Sequence, residues 1–196
     1  GPVTFRELIN RFGSAEAAID ALPDLARAGG SRRTIRIALV AEAEKELAAA
    51  ARMGARFIAI GEPDYPPLLR HVEHGPPLLA VIGDSDVLQR PTISIVGARN
   101  ASLAGVRMAR RLADELGRAG YAIASGLARG IDAAAHQASI DTGTIAALAG
   151  GLDHPYPPEN VPLYEEIGRR GAAVSEMPFG WEPRARDFPR RNRIVA

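Results

Sequence analysis

Apolar positions recur at helical spacing early in the chain and gather into strand-like runs later. Val3, Phe5, Leu8, Ile9 and Phe12 share one helical stripe, and Gly13-Ser14 reads as a stop followed by an N-cap. Ala17, Ala18, Ala21 and Leu22 supply the next apolar face. Leu22-Pro23-Asp24 and then Gly29-Gly30-Ser31 predict turns. An Ala-rich helix is predicted from about Thr34 to Met53, with Ile37, Val40, Ala41 and Leu47 inside and Glu42, Glu44 and Glu46 on a solvated face. Gly54 ends it. Residues 1–55 therefore read as a small helical module.

Residues 56–91 change character. Six of the 15 prolines fall here, at Pro63, Pro66, Pro67, Pro76, Pro77 and Pro91. Phe57–Ile60 and Leu78–Ile82 read as strands inside this connector. From Thr92 strand and helix alternate. Strands are predicted at Ile93–Val96, Tyr121–Ala124, Thr144–Ala149 and Gly171–Val174, and helices at Leu103–Ala119, Ile131–Asp141 and up to Arg170. The first of these helices carries an apolar stripe of Leu103, Val106, Ala109, Leu112, Ala113 and Leu116 opposite Arg107, Arg110, Arg111, Asp114, Glu115 and Arg118. Continuous apolar strands separated by helices predict an α/β domain over residues 92–196, with a mostly parallel sheet covered on both faces. The chain begins without Met and stops at Arg193-Ile194-Val195-Ala196, inside what reads as a continuing element, so a fragment is expected.

Composition narrows the chemistry. Apolar residues make up 46% and charged residues 24%, which excludes a disordered or low-complexity chain. No apolar run approaches the ~20 residues of a membrane span, so no membrane association is expected. With no cysteine there is neither a disulfide framework nor a thiolate nucleophile, in keeping with a cytoplasmic setting. Lys45 is the single lysine among 24 basic residues. No GxxxxGK[ST] is present, which excludes a standard P-loop, and Lys45 in a polar helix is a poor Schiff-base candidate. His71 and His74, with His154 elsewhere, make no convincing metal set, and no metal or cofactor is expected. The net charge of +1 means that any polyanion site must be local.

In a parallel sheet, ligands bind outside the carboxyl ends of the strands. Four segments should meet there: 97–105, 125–132, 150–160 and 175–178. In the first, Gly97-Ala98-Arg99 leads to a helix start at Ser102, where free N–H groups favour an anion. Ser102 and Arg99 are either an anion site or a plain N-cap with a surface ion pair. In the second, Ser125-Gly126-Leu127-Ala128-Arg129-Gly130 repeats the strand–glycine–helix pattern. It is not GxGxxG, which disfavours a dinucleotide site. Ser125, Asp132 and His136 suggest a hydrolase triad, but no GxSxG elbow surrounds the serine, and Asp132–His136 is expected to be a helix-surface pair. In the third, a Pro-rich loop leads to Asn160 as an N-cap. Beyond these, five arginines lie between Arg184 and Arg193, with Phe188 among them and Trp181 before them. Arginines interleaved with aromatics suit phosphates and stacked bases.

These motifs, in order, resemble the bacterial DNA-processing family DprA/Smf. They are Val96-Gly97-Ala98-Arg99 with Ser102 and Gly105, Ser125 to Asp132 with His136, Gly151-Leu152-Asp153, Tyr156 to Asn160, Ser175-Glu176-Met177-Pro178 and Phe188 to Ile194. The resemblance covers about Phe57 to Ala196. Residues 1–55 more weakly resemble the family's SAM-like or helix-hairpin-helix-like module. The resemblance implies an extended Rossmann-like fold and a binding protein, not an enzyme. It implies a homodimer that binds single-stranded DNA and helps load the RecA recombinase in natural transformation. By motif, Gly97, Arg99, Ser102, Ser125, Gly126, Arg129 and Gly130 would form the phosphate pocket, flanked by Phe188, Arg190, Arg191 and Asn192. Glu159, Asn160 and Glu176 would shape loops. Ala98 departs from the Ser or Thr of many members. The family's domain continues beyond the point matching Ala196, sometimes into a winged helix. Two other readings stand beside this one. One is a nucleoside-monophosphate phosphoribohydrolase-like enzyme using Glu176, although its Pro-Gly-Gly-x-Gly-Thr signature is missing. The other is an adaptor that binds only protein.

Overall fold

The computed structural model describes residues 1–28 and 37–196. The chain divides into two compact units, Gly1–Lys45 and Glu46–Ala196.

In the first unit, α1 (Pro2–Phe12) ends as expected. Gly13 adopts φ 80°, and its N–H donates to the Ile9 carbonyl. The Ser14 hydroxyl then accepts from Ala17 N at 3.1 Å and caps α2 (Ala15–Ala28). The expected turn at Pro23 does not occur, because Pro23 lies inside α2. Proline's fixed φ is itself helical, so it removes one backbone bond without forcing the element to end. The turn expected at Gly29-Gly30-Ser31 and the helix start at Thr34 lie outside the described residues. Helix α3 (Val40–Arg52), of which only residues 40–45 belong to the first unit, begins where the Glu42 carboxylate accepts from Leu39 N at 3.1 Å, so Glu42 sets the helix start and is not merely solvated.

The second unit is an α/β domain of Rossmann-like architecture. Among the described residues six strands form one sheet: β1 (Ala55–Ala59), β2 (Leu78–Gly83), β3 (Thr92–Ser94), β4 (Ala122–Ser125), β5 (Thr144–Ala147) and β6 (Ala172–Ser175). Their spatial order is β1-β2-β6-β5-β4-β3. Strands β3 to β6 pair in parallel, while β2 runs antiparallel to both β6 and β1. The Pro-rich segment thus supplies two strands of the same sheet.

Alternation along the strands assigns the two faces. Ala124, Ile145, Ala147 and Val174 point to one side, against Tyr65, Leu69, Val87, Leu88 and Val195. Ala146 and Ala173 point to the other, with Ile140, Leu163, Tyr164 and Ile167 of the helical layer. That layer consists of α4 (Leu103–Arg118), α5 (Ile131–Ser139) and α6 (Val161–Arg170). On the first side α7 (Asp187–Val195) and the connector leave an apolar trough between Pro66, Leu88, Ile145 and Ile194.

The core face of α4 differs from the predicted stripe. Ala109, Ala113 and Gly117 are buried, whereas Leu103 and Leu112 are 65% and 43% exposed. Close approach explains this: a Cβ at Gly117 would stand 2.0 Å from Thr142 Oγ1. A row of small residues fits that spacing and a row of leucines does not. No helix among the described residues is long and apolar enough to cross a membrane.

Tyr65 anchors the connector to the sheet. It is fully buried, and its hydroxyl donates to the Pro76 carbonyl at 2.6 Å. Tyr65→Phe is expected to lower the unfolding free energy by about 1–2 kcal/mol, because it orphans a buried carbonyl. Urea unfolding followed by circular dichroism measures the difference.

Candidate nucleic-acid interface

The parallel strands end together at Ser94, Ser125, Ala147 and Ser175, and the loops leaving them share one edge. Two successive strand-to-helix turns lie against each other there. Ile95 N donates to the Ala124 carbonyl at 3.0 Å, which extends the pairing of β3 and β4 toward the turns. The Ser125 hydroxyl donates to the Ile95 carbonyl at 2.6 Å, and Ile131 N donates to the Ala98 carbonyl at 3.3 Å. Gly130, at φ 77°, leaves no room for a side chain: its Cβ would lie 2.3 Å from the Ala98 carbonyl oxygen and 2.7 Å from that of Arg99. A Cβ at Gly97 would likewise stand 2.6 Å from Cγ1 of the Ile131 side chain. The glycines therefore let one turn lie directly on the other.

A cleft opens beside this contact. Arg99, Gly126, Ala128, Arg129 and Arg191 line one part, and Tyr156, Pro157 and Phe188 the rest. Arg99 is exposed, and its guanidinium carbon lies 5.5 Å from the centre of the Phe188 ring. The Tyr156 and Phe188 rings meet edge to face at 5.5 Å. Arg129 is exposed on the opposite turn, and its Nε lies 3.2 Å from Glu159 Oε1.

The predicted site residues divide into three groups. Arg99, Gly126, Arg129, Phe188 and Arg191 meet at the cleft. Gly97, Ser102, Ser125 and Gly130 build the edge. Ser102 caps α4, its hydroxyl accepting from Gly105 N at 3.1 Å, while the first-turn amides of Leu103 and Ala104 keep no intrahelical acceptor. Ser125 is fully buried and ties the two turns together, so it is not a lining residue. Arg190 and Asn192 do not line the cleft. Arg190 pairs with Glu176 at 2.9 Å, Arg193 pairs with the same carboxylate, and the Asn192 side chain is exposed elsewhere on α7.

The arginine cluster thus serves largely internal roles. Arg191 is buried, its Nη1 donating to the carbonyls of Gly126 and, at 2.6 Å, Ala147. One guanidinium so holds α7 to the ends of β4 and β5. Arg184 covers the Trp181 ring at 4.9 Å. Asp187 accepts from Trp181 Nε1 and Arg184 N, both at 2.9 Å, and the indole bond in particular holds its carboxyl below the usual range.

Asp132 and His136 are not a surface pair, because both are buried. The Asp132 carboxylate accepts from Gly126 N at 3.1 Å and Ala128 N at 3.3 Å, fixing the second turn and engaging two of its amides. The Thr144 hydroxyl donates to the Ile123 carbonyl, so His136 contacts it at 2.7 Å as a donor through Nδ1–H. Burial, reinforced by the Arg191 charge, pushes the His136 pKa down to about 3. Ser125, Asp132 and His136 accordingly form no hydrogen-bonded relay. Asn160 also departs from expectation. Its side chain does not cap α6 but donates to the Leu127 carbonyl at 2.8 Å, linking the Pro-rich loop to the second turn. Glu46, expected on a solvated face, accepts from Phe179 N at 3.0 Å because that loop needs an acceptor for its amide.

Sequence reasoning missed Tyr156 as a cleft residue. An aromatic held beside Pro157 in a loop predicted to reach the strand edge was the available signal.

The sequence pattern that defines the DNA recombination-mediator protein A family matches residues 56–196, and that of the DprA-like N-terminal HHH domain matches residues 1–49. The chain belongs to the DNA recombination-mediator protein A family. Among members of the DprA family, Protein Smf of Synechocystis is 42% identical over 147 residues, covering 72% of this chain and 37% of that protein. The crystal structure of DNA processing protein A from Streptococcus pneumoniae superposes with a TM-score of 0.73 at 34% identity, covering 81% of this chain and 54% of that one. A structure described for the single-stranded DNA binding mode of DprA from Helicobacter pylori gives a TM-score of 0.67 at 28% identity, with coverage of 74% and 66%. The chain spans between about a third and two thirds of these DprA relatives.

The buried histidine carries a pH signature. Folding keeps His136 neutral, with a pKa far below its unfolded value of about 6.5. Its contribution is complete above that value and is lost as pH falls toward 3. Between pH 6.5 and 5 the unfolding free energy should drop by about 2 kcal/mol from this group alone. His136→Gln should flatten that part of the profile in urea titrations at pH 7, 6 and 5.

Proposed function

We propose that this chain binds single-stranded DNA with little sequence preference, through the cleft beside the two packed turns. One observation carries the reading: Arg99 and Arg129, from successive strand-to-helix turns, reach a single cleft walled by Tyr156 and Phe188. Guanidinium groups supply charge and paired donors for phosphate oxygens. The exposed Tyr156 ring offers a face on which an unpaired base stacks, at roughly 1–3 kcal/mol per base. A recessed cleft suits a flexible strand whose phosphates can dip into it, whereas duplex phosphates lie on a wide, stiff cylinder. The related Helicobacter pylori structure, described for its single-stranded DNA binding mode, supports the same assignment.

Within the cleft, Arg99 and Arg129 are the phosphate contacts. Gly97, Ser102, Ser125, Gly126 and Gly130 shape the edge, and Phe188 and Tyr156 meet the bases. Arg191 fixes the floor. Glu176, which a phosphoribohydrolase reading needs free at this edge, is turned toward Arg190 and Arg193, and this favours binding over glycosidic cleavage. Membership of a recombination-mediator family supports the wider reading: a cytoplasmic homodimer that protects an incoming strand and helps load RecA. The exposed side chains of Met108 and Leu112, neighbours one turn apart on α4, support association with protein.

Titration of labelled oligothymidine against a duplex of equal length, at two salt concentrations, tests the reading. Tighter binding of the single strand is expected, with a log–log salt slope of about 0.7 per neutralised phosphate. Arg99→Glu and Arg129→Glu should each weaken binding at least about tenfold with melting temperature retained. Equal affinity for duplex, or undiminished binding by both variants, would overturn it.

A further inference from the structure

The two cleft arginines that reach solvent are not equivalent. Among the described residues Arg99 has no acidic partner and lies over the Phe188 ring. Arg129 faces Glu159 at 3.2 Å, and both side chains are about half exposed, at 59% and 48%. Such a pair adds little to stability, because water competes with it and two mobile side chains must be ordered. Its position is nonetheless fixed by the fold. Glu159 lies between Pro158 and Asn160. The Asn160 amide donates at 2.8 Å to the carbonyl of Leu127, two residues before Arg129. Leu127 is itself buried and held at φ 60°, the one non-glycine residue with positive φ among those described. One side-chain bond thus secures the loop carrying the acid to the turn carrying the base.

We propose that Glu159 is a built-in counter-ion for Arg129, which a phosphate must displace before it can bind there. The inference rests on the reading of the cleft as a single-stranded DNA site. While Glu159 occupies Arg129, that side of the cleft is close to neutral, and Arg99 is the exposed guanidinium left to attract a phosphate, Arg191 being buried in the floor. Arriving DNA exchanges one carboxylate–guanidinium contact for a phosphate–guanidinium contact and also meets the displaced negative charge. The consequence is a restrained affinity and easier release, which suits a protein that must pass its strand on. Repulsion between exposed charges is screened by salt, so the restraint is strongest at low ionic strength.

Glu159→Gln keeps the shape of the side chain and removes its charge. With the 196-residue chain and labelled oligothymidine at 50 mM salt, the variant is expected to bind about three- to tenfold more tightly than wild type. The ratio should shrink toward one at 300 mM, with melting temperature unchanged. In an Arg129→Gln background the same substitution should improve binding by less than about twofold, since no cation remains to be released. Glu159→Gln binding no tighter than wild type, or retaining its full gain without Arg129, overturns the counter-ion role while leaving the DNA site intact. Wild-type chain that binds no oligothymidine overturns both.

Discussion

Gly130 stands where the carbonyl oxygens of Ala98 and Arg99 leave no space for a Cβ, and this contact brings two turns of the sheet edge within backbone distance. The spacing of the cleft follows from it. A side chain at Gly130 would have to lift the second turn from the first, and Arg99 and Arg129 would no longer share a cleft. The bonds from Ser125 to Ile95 and from Ile131 to Ala98 hold the same contact from either side. Local backbone geometry thus decides where the positive charges stand.

Beneath the turns, buried polar groups make the arrangement rigid. Asp132 holds the amides of Gly126 and Ala128, while Arg191 holds the Gly126 carbonyl together with that of Ala147. A single glycine is thereby gripped at both its N–H and its C=O. The Arg191 charge, added to burial, keeps His136 neutral, and His136 in turn is bonded to Thr144 on β5. The arginine-rich composition consequently serves two ends. Some guanidiniums tie α7 and the loops to the sheet, and a smaller set remains at the surface with charge to offer a polyanion. Neighbouring charge also moderates that set, since Arg129 already faces Glu159.

Much of this was legible in the residues themselves. Uninterrupted apolar strands separated by amphipathic helices predicted the parallel core, and its geometry required the loops after β3, β4, β5 and β6 to meet. Other features depended on distances that spacing along a sequence does not encode. Asp132 and His136 stand four apart, as a surface pair would, yet both face inward because the helix start is pressed into the sheet edge. The stripe on α4 was misread because Ala109, Ala113 and Gly117 permit a closer approach than leucines do. Arg190 and Arg191 are adjacent in sequence, but one turns to Glu176 and the other into the floor of the cleft. The two strands of the Pro-rich connector were legible as short apolar runs, but their antiparallel pairing onto the edge of the same sheet was not, because it depends on long-range register.

The central claim is that the two turns, together, receive the strand. Hydrogen–deuterium exchange of the chain with and without saturating oligothymidine addresses it at the level of backbone segments. Slowed exchange in peptides covering residues 97–105 and 126–132, together with the Tyr156 loop, is the predicted result. Protection confined to other surfaces, with both turns exchanging as they do in the free protein, would contradict it.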